Sequence, residues 1–432
     1  MLAPKPNPLM FSSPLAATTA ATPYATDVME PALRAWLAAI TVVVLLGVLF
    51  VFLRYWRQAY KTRIVWTMSI AITTLLALGI VAVWIVVAAM PVALNVGHPL
   101  LSQSDVGEAL QAVPVDRAPS ADKPAPIFVP TGVYIRTIQF TTGHNLTVTG
   151  ILWQNYPLDT PDDVDRGVTL PDATSTTFNE VSRTPQSSGV LIRWNFTADL
   201  RETFLYDRYP LDRQDIWLRM RPAETETLVT LTPDLAAYPS LTPSTKPGLT
   251  QSLVLEGWYP VQTYFSYATT AANTTFGDER GAREAEIPEL YYTVTVKRDL
   301  IVPFLTYLFP VLIIAVMLFF GLMISTKELE RRTQIGWNVA GILSYSAALL
   351  FVALLAHINM RSVVGAEGLL YIGYFYFTLY ALIMLTLLNA VLLVSKTEWK
   401  WVTHADNLVP KALYWPLYLG VIFILTVVAF AV

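Results

Sequence analysis

No charged residue occurs between Leu300 and Thr326, and a helix of that length crosses the ~30 Å hydrocarbon core of a bilayer. The stretch before it obeys a different period. Leu290, Tyr292, Val294 and Val296 alternate with Tyr291, Thr293, Thr295 and Lys297, which predicts a strand with one buried face. Only Arg298 and Asp299 separate the two patterns, with no linker. A β-rich aqueous region therefore runs straight into a membrane helix. A join that stiff can carry force from one part to the other.

Five more apolar runs accompany it: Ala35–Leu53, Val65 to Leu94, Thr333–Met360, Gly368–Ser395 and Ala412–Val432. Arg54, Arg57, Lys61 and Arg63 crowd the first short loop, which places that loop in the cytoplasm by the positive-inside rule. Lys327, Arg331 and Arg332, and later Lys396, Lys400 and Lys411, do the same for two further loops. The intervening loop carries only Arg361 and Glu367. The β region and both termini are then expected outside. The hairpin of the first two runs reads as an anchor, a packing partner for the later bundle or a lipid-facing ring. The composition, 54% hydrophobic and 14% charged, agrees with a polytopic membrane protein.

The expected fold class is thus an α+β membrane protein. Residues 1–33 read as disordered, 34–95 as a transmembrane helical hairpin and 96–125 as a linker. Residues 126–299 read as an extracytoplasmic β-sandwich and 300–432 as four transmembrane helices. Strands are expected at Val133–Phe140, Leu146–Trp153, Ile192–Leu200, Ile216–Met220 and Thr263–Ala268, with a long loop or an insertion over 157–188. The net charge of −3 suggests no nucleic-acid partner, and the absence of cysteine removes disulfides and thiolate metal sites. The four histidines are scattered and no HExxH, GxSxG or P-loop pattern occurs. No enzyme activity, cofactor or metal is expected. Residues 99–299 hold 25 acids and 16 bases, a balance of −9. This serves solubility and attracts cations over about a Debye length.

Three local patterns are similar to the pentameric ligand-gated ion channels, the Cys-loop receptor family, in its cysteine-free prokaryotic form. The first is Tyr206-Asp-Arg-Tyr-Pro-Leu-Asp-Arg-Gln-Asp-Ile-Trp-Leu218, an aromatic-Pro-x-Asp turn followed by a strand. The second is Thr275-Phe-Gly277, Pro288-Glu-Leu290 and the strand ending in Lys297-Arg298. The third is the layout after Arg298: three closely connected helices, a charged loop and a last helix. Asn359-Met-Arg361 resembles the family's outer link, and Tyr371-Ile-Gly-Tyr-Phe-Tyr-Phe377 its third helix. The resemblance covers roughly 126–432. The two leading helices and the 157–188 stretch depart from the usual architecture.

The resemblance implies a homo-oligomer, a pentamer, that passes inorganic ions when a small ligand or protons bind outside. It implies that Tyr209, Pro210, Asp212, Arg298, Asn359 and Arg361 meet at the membrane surface as a coupling site. Arg298 could instead anchor a helix end at lipid headgroups. Read as one helix, Thr333–Met360 puts Gly336, Ala340, Ser344 and Ala347 on one face, continued by Phe351, Leu354 and Ile358. In a ring, that face would line a lumen with a bulky apolar outer half. Close helix packing in lipid is the alternative. His357, near the outer end, is a pH sensor or a wet interfacial histidine. Trp194, Trp258, Tyr259, Tyr264, Phe265 and Tyr267 are candidate ligand aromatics or core. The rival readings are a non-conducting sensor or assembly protein on the same fold, and a membrane enzyme or transporter. Against the latter, no run carries an interior acid or base apart from His357.

Overall fold

The computed structural model describes residues 26–55, 61–90, 97–112, 126–223, 229–268, 289–365, 368–395, 402 and 404–431. The expectations for residues 1–25 and 113–125, and those resting on Arg57, the 275–277 pattern, Pro288, Glu367, Lys396 and Lys400, lie outside them. Helix α1 (Thr26–Tyr55) and α2 (Thr62–Ala89) form the leading pair. Helicity thus begins within the stretch expected to be disordered, since a formed helix propagates cheaply into its flanks. Gly79 of α2 lets the helices approach. A Cβ there would come within 2.7 Å of Val44 and 2.9 Å of Phe423.

The expected linker holds a helix, α3 (Gln103–Ala112). Its start is a reciprocal cap. The Asp105 carboxylate accepts the Leu101 and Ser102 amides at 2.9 and 3.0 Å, and the Ser102 hydroxyl accepts the Asp105 amide at 3.3 Å. Just ahead of it, the Leu100 amide donates to the Phe265 carbonyl at 2.8 Å.

Among the described residues nine strands follow: β1 (Ile127–Phe140), β2 (Asn145–Pro157), β3 (Val168–Thr169), β4 (Ala173–Gln186), β5 (Gly189–Arg201), β6 (Arg213–Pro222), β7 (Val229–Pro233), β8 (Trp258–Ala268) and β9 (Glu289–Arg298). They form a five-stranded sheet ordered β4-β5-β2-β1-β7 and a four-stranded sheet ordered β3-β6-β9-β8. The β1–β7 pairing is parallel. The 157–188 loop expectation is overturned: β4 pairs with β5 from Ala173↔Leu200 to Gln186↔Gly189. No β4 residue is buried, so the strand shows no apolar alternation to read. β9 also departs from its one-face expectation, being buried on both faces. Thr293, on its polar face, lies between the larger cross-strand neighbours Trp217 and Tyr264.

The two sheets share one core. Val133, Ile135, Leu152 and Phe196 of the first pack in a single cluster with Leu218, Met220, Tyr292 and Val294 of the second. Phe140 of β1 stacks on Trp258 of β8, with ring centroids 5.2 Å apart.

After β9 only Asp299 and Leu300 precede α4 (Ile301–Met323). The Asp299 carboxylate accepts the Ile301 amide at 2.9 Å. Phe304–Leu308, between Pro303 and Pro310, is a π-helical turn. Then come α5 (Leu329–Ile335), α6 (Val339–Val364), α7 (Tyr371–Val394) and α8 (Leu408–Ala431). Among the described residues, six helices are long and apolar enough to cross a membrane: α1, α2, α4, α6, α7 and α8. The chain is an integral membrane protein of mixed helix and sheet. The expected helix over 333–360 is broken in two. Gly336 takes the left-handed conformation at φ +65°, and the Asn338 side chain accepts the Gly341 amide at 2.6 Å to start α6.

Candidate functional site

The end of β9 carries Arg298 against the turn that joins β5 to β6. Its guanidinium grips the Asp212 carboxylate with two parallel bonds, Nε to Oδ1 at 2.7 Å and Nη2 to Oδ2 at 2.8 Å. Asp212 Oδ2 also accepts from the side-chain Nε2 of Gln214 at 3.1 Å. The carboxylate is almost wholly shielded, so the pair must satisfy itself to offset its desolvation. Aromatic rings complete the cage: the guanidinium lies 3.9 Å from the Trp258 ring, 4.6 Å from Tyr209 and 5.9 Å from Tyr206. Burial pushes the Tyr206 hydroxyl up to about 12, against the pull of Arg298. That hydroxyl donates to the Gly143 carbonyl at 2.6 Å.

The same turn seats on the helices. The first amides of α7 have no partner within their own helix. Two of them, Tyr371 and Ile372, donate to the carbonyls of Asp207 at 2.9 Å and Tyr209 at 3.2 Å. The Tyr209 ring lies 6.4 Å from that of Tyr307 in the π-helical turn of α4. Tyr376 of α7 donates to the Tyr307 carbonyl at 3.1 Å. The β1–β2 turn meets the end of α6, where a Cβ on Gly143 would come within 2.8 Å of the Gly365 carbonyl oxygen. Tyr209, Pro210, Asp212 and Arg298 are therefore brought together with α4 and α7.

A second contact escaped sequence reasoning. Arg213 and Lys297 are cross-strand partners on β6 and β9, and both reach the end of α2. Arg213 Nη2 donates to the carbonyls of Val87, Ala88 and Met90 at 3.2, 3.4 and 2.7 Å. Lys297 Nζ donates to the Ala88 carbonyl at 2.7 Å. Two cations thus satisfy the last carbonyls of a helix at its negative end. Burial lowers the pKa of Arg213, with Arg208 adding to it, and burial then Arg213 lower that of Lys297. Lower down, the Trp84 indole donates to the Tyr371 hydroxyl at 2.7 Å, which bonds Thr426 of α8 at 2.8 Å. The leading hairpin is integral to the junction rather than a mere anchor. Strand pairing, not chain position, aligns Arg213 with Lys297, so single-segment reading had no signal for it.

Asn359 and Arg361 lie in the last turns of α6 and not in a link. The helix runs on to a left-handed Gly365, because no breaker precedes it. Arg361 donates to the Gly368 carbonyl at 3.0 Å, and Asn359 is exposed. Along α6, Ala340, Ser344, Ala347, Phe351, Leu354 and Ile358 are all exposed in the single chain, and Gly336 stands off that helix. His357 is buried, stacked on Tyr376 at 4.7 Å with Nδ1 3.0 Å from the Tyr380 hydroxyl. Of the aromatics, Trp194, Trp258, Tyr264, Phe265 and Tyr267 are buried. Tyr259 is exposed and donates to Asp299 at 3.0 Å. Among the described residues, no three His, Asp or Glu side chains converge as metal ligands would. No protein-family model matches the chain, and no curated protein matches it.

Proposed function

We propose that the protein is a ligand-gated ion channel: a homo-oligomer, a pentamer, that lets inorganic ions pass when a small molecule or protons bind its β region. The β region is a two-sheet sandwich held outside the cytoplasm. Lys327, Arg331 and Lys411 gather near Asp406 at the far end of the bundle, and that end faces the cytoplasm by the positive-inside rule. One observation carries the reading. The turn from Tyr206 to Asp212 grips the end of β9 and caps the start of α7 at once. A rearrangement of the sheets thus reaches two helices through direct bonds. Ligand capture then shifts the population of the bundle toward its open arrangement. The exposed stripe of α6, small at one end and bulky-apolar at the other, supplies the lumen, with Phe351, Leu354 and Ile358 as its hydrophobic constriction.

A non-conducting sensor on the same architecture is the second reading. It is favoured by the lack of any acid along the α6 stripe from Ala340 to Ile358. Two measurements on the purified chain decide between them. A projection along the membrane normal should show a fivefold ring with a central hole, and ion flux from liposomes should appear on gating. A ring without flux supports the sensor. A monomer overturns both.

A further inference from the structure

Away from the junction, one buried acid lacks a partner. Glu202 is the first residue past β5 and is 3% exposed. Its Oε1 accepts the Trp217 amide at 3.1 Å, which ties β5 to the edge of β6. Its Oε2 is shut off from solvent and has no partner among the described residues. Burial holds the carboxyl well above the usual range against the pull of the Trp217 amide, and the charges of Asp172 and Asp215 push the same way as burial. With Oε1 held as an acceptor and no cation beside the group, burial favours the protonated form, whose proton sits on Oε2 facing no acceptor.

Glu202 lines a cleft of about 300 Å³, together with Asp172, Arg201, Thr203, Trp217 and Arg219. The charges in that wall are unequal in their engagement. Arg219 is bound to Glu289 and lies 3.2 Å from Asp172, and Arg221 is bound to the same Glu289. Two cations and two acids balance there. Arg201 is exposed and has no ion-pair partner among the described residues. The cleft therefore offers a hidden O–H donor, one uncompensated guanidinium, the Thr203 hydroxyl and an indole face.

We propose that this cleft is a binding site for a small organic carboxylate. Its carboxylate pairs with Arg201 and accepts the Glu202 Oε2–H as that group turns outward, and its apolar body lies on Trp217. A protonated amine is disfavoured, because it would meet the Arg201 charge while Asp172 is already engaged by Arg219. The site lies within a single chain and does not depend on whether the bundle conducts.

Binding is linked to pH. The ligand needs Glu202 protonated, so affinity is full below the folded pKa of that group and falls above it, by roughly tenfold per pH unit. The charged and titratable groups facing Glu202 are Arg201 on β5, Asp172 ahead of β4, Asp215 and Arg219 on β6, Tyr291 on β9, and His144. The His144 carbonyl accepts the Glu202 amide at 2.9 Å, and its Nδ1 lies 3.3 Å from the Glu202 carbonyl oxygen. A variant at Glu202 itself separates its titration from theirs.

The test is calorimetric titration of the full-length protein in lipid nanodiscs with benzoate, and with benzylamine as the opposite charge. Saturable benzoate binding is expected, weakening as pH rises, with no benzylamine binding. The exposed Arg201→Gln change should weaken benzoate by about tenfold or more. Glu202→Gln, which keeps the neutral form, should retain binding and flatten the pH profile. Benzylamine binding, an unchanged affinity in R201Q, or an unchanged pH profile in E202Q overturns the proposal. Absence of benzoate binding at every pH does so too. This titration reads the cleft and ion flux reads the bundle, so each can fail alone.

Discussion

At the scale of single residues, Asp212 and Glu202, two of the buried acids of the β region, behave in opposite ways. Asp212 is matched by a bidentate guanidinium, whereas Glu202 has one amide and no cation. Removing one member of a buried pair leaves an uncompensated charge and costs about 3–5 kcal/mol. Asp212→Asn and Arg298→Met should each destabilise by about that much, and the double variant by clearly less than their sum. Thermal unfolding in detergent reads this, and a coupling near zero would show that the pair is not a unit. For Glu202 the folded pKa is raised. The stability it confers is complete below the unfolded value of about 4.3 and lost as pH rises through the folded one. Glu202→Gln should therefore match the wild type below pH ~4 and exceed it increasingly as pH rises, by about 2–4 °C in Tm per kcal/mol relieved. Equal Tm values across that range would place the proton elsewhere. That Asp212 meets Arg298 was implied by the family resemblance, not by any local pattern. Nothing pointed to Glu202, because burial at the exit of β5 depends on β6, which is distant in the chain's local pattern.

At the scale of elements, legibility followed from how many neighbours an element needs. β5 has one face in the core, so its alternation shows in its own residues. β4 lies at the sheet edge with no buried residue, and its Thr-rich sequence looks like a loop until β5 is beside it. α3 starts at Ser102 and Asp105, which have capping-box spacing, but its short length and polar content hid it within the stretch read as a linker. α6 was found as an apolar run, while its start was set by Gly336 and Asn338, two residues that break and restart a helix. The contact between β6, β9 and α2 could not be read, because it joins three elements through two side chains. It also yields a prediction. A cation at a partly buried helix C-terminus contributes up to ~2 kcal/mol. Replacing Arg213 and Lys297 together by Gln should speed hydrogen exchange of the last-turn amides of α2 by about tenfold or more, while mid-helix α1 amides keep their rates. Unchanged exchange at Val86–Ala89 would show that packing on α8 alone holds that end.

At the scale of the whole molecule, the six apolar helices and the sheet-bearing region were set by composition and period, and the absence of a linker at Arg298 is matched by the two-residue passage into α4. The architecture is more closely tied than that one join requires. The sheets touch the bundle through Arg298, through the capped start of α7 and through the end of α2. The segment Gly97–Ala112, which leaves α2, adds a further tie at β8, the last strand of its sheet. A Cβ on Gly97 would fall within 2.5 Å of the Tyr267 carbonyl oxygen, so the chain there lies hard against that strand.

That segment decides where the protein can be cut. An uncovered strand edge recruits other edges and precipitates. A water-soluble piece spanning 126–299 should self-associate, whereas one spanning 97–299 should stay dispersed for longer at equal concentration, as light scattering would register. If both pieces scatter alike, the edge is not what drives clumping. The sixteen residues that sequence reading took for slack thus act as a selvedge, the finished border that stops a woven cloth from fraying.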